Sequence, residues 1–73
     1  MTAIVWSKLN CPQCDKAKTL LKQKGIEYQE KVVGKGYDRE DLLKEIPDAK
    51  SVPQVFLNGE LIGGYAELHA KLA

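Results

Sequence analysis

The sequence predicts an α/β fold, a four-stranded mixed sheet with helices on both faces in the order β-α-β-α-β-β-α. Three observations predict it. Short apolar runs with strand character alternate with segments whose apolar residues recur at helical spacing. The first strand, helix and second strand read as a right-handed crossover between parallel strands. Asn58-Gly59 stands between two further short runs, a strong hairpin signal that adds an antiparallel pair.

The elements follow in order. Thr2 to Trp6 is rich in strand-favouring residues and reads as a buried strand. Ser7 to Asn10 is a polar break. Pro12 suits a first helical position, where its missing N–H costs nothing. Ala17, Leu20 and Leu21 then fall on one helical face, and Lys16, Lys18, Lys22 and Gln23 cover the other. Gly25 is placed to stop that helix. Ile26 to Val33 alternates enough to read as a strand, and Gly34-Lys35-Gly36 reads as a loop. Asp38 is a candidate N-cap for a helix carrying Leu42, Leu43 and Ile46, which Pro47 ends. Gln54 to Leu57 and Glu60 to Ile62 are the hairpin strands. Gly63-Gly64 breaks the second, and Tyr65, Leu68 and Leu72 stripe a last short helix.

Length and charge narrow the function classes. The 73 residues carry 11 Lys+Arg and 10 Asp+Glu, a net charge of +1. Residues 1–73 are expected to form one domain. No apolar run approaches the roughly 18 residues of a membrane span, and no basic tract is dense enough for nucleic acid. The first six residues lack the features of a signal peptide, so a cytoplasmic location is expected. Charge is uneven along the chain. Residues 1–36 hold seven Lys and three acids, a balance of +4, and residues 37–73 hold four bases and seven acids, a balance of −3. The positive half suits a small anionic ligand, although an unevenly charged solvated surface would read the same.

Cys11 and Cys14 carry the chemistry. Two cysteines this close do not make the disulfide framework of a secreted miniprotein. A bridge closing so small a loop stabilises a fold by only about 2 kcal/mol. Cys11-Pro12-Gln13-Cys14 stands where a strand feeds a helix. There Cys11 meets unpaired backbone N–H groups and the positive end of the helix dipole, which favour a thiolate. Lys8 and Lys16 add positive charge and Asp15 opposes it. Cys14 lies one turn further in and is more shielded. An exposed attacking sulfur beside a protected resolving one is what disulfide exchange requires. A zinc site needs about four ligands, and beyond the two cysteines there is one histidine, His69, which reads as a surface helix residue. A pair of buried structural thiols is the bland alternative, and it fits a proline-containing CxxC at a helix start poorly.

Taken together, Ser7-Lys8, Cys11-Pro12-Gln13-Cys14, Ser51-Val52-Pro53-Gln54, Asn58-Gly59 and Gly63-Gly64 resemble a glutaredoxin of the thioredoxin-like fold. The likeness spans nearly the whole chain and is similar to compact bacterial and phage dithiol glutaredoxins. It implies a glutathione-dependent thiol–disulfide oxidoreductase with a redox-active disulfide, reducing protein disulfides and glutathione mixed disulfides. Cys11 would be the nucleophile and Cys14 the resolving thiol. Pro53 would be a cis-proline facing the site, and the Val52 backbone would pair with substrate in strand fashion. Lys8 would pair with a carboxylate of glutathione. Gly64 and Tyr65 would offer helix-start N–H groups to a second carboxylate, and Pro12 and Gln13 would flank the reacting sulfur. No metal is expected. Glutathione, disulfide-containing proteins and, among them, ribonucleotide reductase are the implied partners of a monomer.

The chain also departs from the family pattern. Gln13 stands where many dithiol glutaredoxins have Tyr. Ala66 lacks the polar side chain often found after Gly63-Gly64, and Trp6 stands where Tyr is frequent. Two other readings therefore stay open: a thioredoxin-like redoxin recharged by a flavoprotein reductase, and an iron–sulfur cluster carrier.

Overall fold

A computed structural model describes all of residues 1–73. Its centre is strand β1 (Thr2–Lys8), flanked by β2 (Glu27–Val33) on one side and β4 (Gln54–Leu57) on the other. Strands β3 (Gly36–Tyr37) and β5 (Glu60–Gly63) form the edges, giving the order β3-β2-β1-β4-β5. The helices are α1 (Pro12–Gln23), α2 (Arg39–Glu45) and α3 (Tyr65–Leu72). β2 runs parallel to β1, while β4 is antiparallel to β1 and to β5.

The sheet has five strands where the sequence predicts four. The added strand, β3, is two residues long and pairs parallel to the end of β2, Val32 with Gly36 and Val33 with Tyr37. Two residues carry no periodicity. The Gly34 N–H donates to the Tyr37 carbonyl at 2.7 Å, closing a turn that folds the chain back beside its own strand. β1 also runs two residues into the expected polar break, because Ser7 and Lys8 continue the pairing with β2.

Alternation along β1 divides the interior into two cores. Ala3 and Val5 face α1 and α3, in a cluster with Leu21, Val55 and Leu68. Trp6 faces the other way and packs with Leu42 and Ile46 beneath α2, joined by Phe56 and Val52. Both faces of the strand are covered, so β1 reads as a nearly continuous apolar run. The helices end for local reasons. The Ile26 N–H reaches the Leu21 carbonyl at 2.9 Å and the Gly25 N–H reaches Lys22 at 3.1 Å. This paired closure needs a left-handed residue, and Gly25 supplies it at φ 70°. Asp38 caps α2 through a reciprocal pair with Asp41, at 2.9 and 3.0 Å. No helix is long and apolar enough to cross a membrane.

α3 is eight residues long and too short to hold itself together. It depends on Leu68, which is fully buried in the larger core. Leu68→Ala is expected to cost about 2–4 kcal/mol, a large share of the stability of a domain this small. Urea unfolding of the variant beside the wild type measures it, and a loss below about 1 kcal/mol would show that α3 is not docked as described.

Candidate active site

The site begins where β1 turns into α1. Leu9 and Asn10 make the turn, with Asn10 in the left-handed region at φ 55°. Asn tolerates that conformation better than most residues. Cys11 is the N-cap of α1, extended at φ −118° and ψ 96°, and Pro12 occupies the first turn. Its sulfur does the work a capping oxygen usually does, accepting the Cys14 backbone N–H at 3.1 Å. The Asp15 N–H bonds the Cys11 carbonyl at 3.1 Å. The two cysteines are joined in a disulfide, their Cα atoms 5.2 Å apart.

The two cysteines differ in access, although both are buried, Cys11 included, where the sequence predicts an exposed attacking sulfur. Cys11 is 7% exposed and Cys14 only 1%. When the pair is reduced, the more accessible sulfur is the one held at the helix start beside a backbone donor. That position favours its charged form. Asp15 works against this, but its carboxylate is held by Lys18 Nζ at 3.4 Å, which offsets the negative charge next to Cys14. Gln13 is exposed and leaves the mouth of the site without an aromatic wall.

The second part of the site comes from the far end of the chain. Trp6 pairs with Gln54 across β1 and β4. The same antiparallel register, continued, sets Lys8 level with Val52. Both side chains line a cleft of about 310 Å³. The Val52–Pro53 peptide bond is cis. The third part is the start of α3. A Cβ placed on Gly64 would lie 3.5 Å from the Pro53 carbonyl oxygen, so this turn abuts the proline. Gly63 is constrained by its φ of 118°, where any side chain is strained, and a Cβ there would also crowd the Glu67 carboxylate. That carboxylate accepts the Gly64 N–H at 2.8 Å. The helix pattern leaves the N–H groups of Tyr65 and Ala66 without intrahelical partners. Tyr65 contributes only backbone here: its ring lies in the groove between α1 and α3, 6.0 Å from His69.

Two cleft residues escape the sequence reading. Arg39 and Lys50 line the cleft with Lys8 and Val52, over an apolar floor that includes Leu42 and Leu43. For Arg39 a signal existed. It is the first residue of α2, where the helix dipole disfavours a cation. Lys50 had none beyond preceding Ser51-Val52-Pro53. No group of three or more His, Cys, Asp and Glu side chains is placed to hold a metal ion.

A polar network ties α1 to the sheet below the cysteines. The Ser7 hydroxyl, 1% exposed as a residue, donates to Glu30 Oε2 at 2.6 Å. Lys18 Nζ donates to the same oxygen at 2.9 Å. The Ser7 hydrogen bond, followed by that of Lys18, holds the Glu30 carboxyl below its ordinary pKa. The hydrogen bond to Glu30 in turn holds the Lys18 ammonium above its own. Ser7 is thus a polar residue that folds as core.

The glutaredoxin family model matches residues 3–62. Glutaredoxin 3 of Escherichia coli (strain K12) is 37% identical over 67 residues, covering 90% of this chain and 80% of that protein. Among solved structures, glutaredoxin 1 from Francisella tularensis, complexed with cacodylate, superposes with a TM-score of 0.82 at 26% identity, covering 96% of this chain and 90% of that one. A buckwheat glutaredoxin–glutathione complex superposes with a TM-score of 0.81 at 32% identity, covering 94% of this chain and 66% of that one.

The polar network predicts a pH signature. A carboxyl depressed by folding stabilises above its unfolded pKa, near 4.3, and that contribution fades as pH falls through the lower folded value. An ammonium raised by folding stabilises below its unfolded pKa and loses the contribution as pH rises through the higher folded one. Ser7→Ala is expected to cost about 1–2 kcal/mol at neutral pH. The stability gap between wild type and Glu30→Gln should narrow in strong acid and again in strong alkali. Thermal unfolding across pH measures both, and a gap that is flat with pH would contradict the assignment.

Proposed function

The chain belongs to the glutaredoxin family of thiol–disulfide oxidoreductases, and from that premise we propose that glutathione recharges its Cys11–Cys14 dithiol. The observation that carries this reading is the cleft shared by Lys8 and Val52, which offers a cation and a strand-like backbone edge three residues from Cys11 in sequence on one side. A small peptide with a free carboxylate fits those two features together. The Tyr65 and Ala66 N–H groups beside Gly64 suit a second carboxylate. Pro12 and Gln13 flank the sulfur, and Pro53 shapes the wall opposite. All 73 residues act as one domain in this reading, working as a monomer in the reducing cytoplasm.

The reaction runs on two sulfurs. The reduced Cys11 thiolate attacks one sulfur of a substrate disulfide, forming a mixed disulfide and expelling the other substrate sulfur, which takes up a proton. With a protein substrate, Cys14 loses its proton and attacks Cys11 Sγ. The second substrate thiol leaves, and the Cys11–Cys14 disulfide remains. Two electrons have passed to the substrate. Two glutathione thiols return them by the reverse exchange and leave as glutathione disulfide. A glutathione mixed disulfide needs only Cys11, because a second glutathione resolves the Cys11 adduct. Protein substrates would include disulfides such as that of ribonucleotide reductase.

The test couples the protein to glutathione, glutathione reductase and NADPH with a glutathione mixed disulfide as substrate. Cys11→Ser is expected to fall to background, and Cys14→Ser to keep turnover on this substrate while losing protein disulfide reduction. Wild-type turnover that appears only with a thioredoxin reductase would assign the recharging to a flavoprotein. Visible absorbance after anaerobic cluster reconstitution, with no disulfide turnover, would assign the site to an iron–sulfur carrier.

A further inference from the structure

The cleft beside the site holds more positive charge than one small ligand uses. Lys8, Arg39 and Lys50 all line it, and no acidic residue does. None of the three forms an ion pair, although Lys18 and Lys71 elsewhere on the surface do. The chain as a whole is nearly neutral at +1, so this is a local field and not a general one. Between the cations the floor is apolar, with Leu42, Leu43 and Val52. Next to Lys8 in the chain, Leu9 is 62% exposed, a large apolar side chain left in solvent in the turn before Cys11. Unpaired cations around an apolar strip form an interaction surface, and Lys8 ties it to Cys11, three residues on in the chain.

We propose that this surface selects protein disulfides whose reacting cysteine lies in an extended segment carrying carboxylates within about three residues of it. Lys8 is three residues from Cys11, so their Cα atoms lie within about 11 Å of each other. An extended peptide advances roughly 3.3 Å per residue, and an acidic side chain that close in sequence spans the distance to Lys8, Arg39 and Lys50. Val52 supplies backbone pairing that does not read side chains, and the three cations supply the reading. Apolar residues of the segment cover Leu9 and the cleft floor. The proposal rests on disulfide chemistry at Cys11 and is independent of which reductant recharges it.

The experiment uses pre-reduced protein in single turnover, so recharging plays no part. Two disulfide peptides of equal length are compared, one with Glu at the positions flanking cysteine and one with Lys there. The Glu peptide is expected to react at least roughly tenfold faster at low salt, as two or three exposed charge pairs allow. The preference should collapse toward unity near 1 M salt, where the screening length falls to about 3 Å. It should also collapse in the Arg39→Ser, Lys50→Ser double variant. Redox-inert copies with Ser in place of Cys locate binding without chemistry: backbone amide shifts at Leu42, Leu43 and Val52 are expected with the Glu copy alone. Equal rates for the two peptides would overturn the proposal, as would a preference that survives the double variant or salt. Failure of the glutathione assay beside a clear Glu preference would overturn the glutathione reading and leave this one standing.

Discussion

The antiparallel register between β1 and β4 is the constraint on which the rest depends. Cys11 follows β1 and Pro53 precedes β4, so the site assembles only if these strands meet with Trp6 opposite Gln54. A slip of one residue would turn every β1 side chain to the other face. Trp6 would be driven into the core that holds Ala17 and Leu21, and Val5 would leave a void under α2. Neither core accepts that exchange, since one buried face is lined by small and aliphatic residues and the other is built around an indole. The hairpin end adds a second lock. The Asn58 N–H bonds the Thr2 carbonyl at 2.9 Å, and Asn58 Oδ1 accepts the Thr2 N–H at 3.1 Å. Packing at one end and a turn at the other thus fix where Lys8 meets Val52.

Local pattern made most of the fold legible. Both long elements of the first unit, the capped α2, the hairpin and the short α3 all announce themselves through periodicity, caps and turn residues. What escaped was structure made by distant partners. Ser7 reads as a break because a hydroxyl after an apolar run normally meets water. It is buried because Glu30, 23 residues away, accepts its hydrogen bond. β3 escaped because a two-residue strand exists only through its neighbour. Neither fact can be recovered from a window of a few residues.

The site divides in the same way. The cysteine pair was legible because its chemistry is local: a cap, a dipole and one turn of separation. The cleft was legible in part. Lys8 and Val52 are named by motif, but their meeting follows from the register. Arg39 and Lys50 come from α2 and the loop after it, and the packing of Leu42, Ile46 and Ala49 around Trp6 carries them to the same place. Tyr65 shows the converse. Its position at the start of α3 is readable, whereas its ring turns away into the groove beside His69.

Two places in this site can receive an anion, and they are not equal. The start of α3 offers partial charges from a short helix, and the Glu67 carboxylate already occupies the Gly64 N–H. That carboxylate also repels an incoming one, and Ala66 has no polar side chain to compensate. The cleft offers three full charges with no acidic residue among its walls. The fuller positive charge therefore lies where Lys8, Arg39 and Lys50 line one cleft. The exposed Gln13 fits the proposed balance, in which charge and the Val52 backbone would orient a substrate that meets no aromatic wall over the sulfur. The dithiol supplies the reaction, and in the proposed reading the cations that α2 and the loop after it bring beside Lys8 select the disulfide.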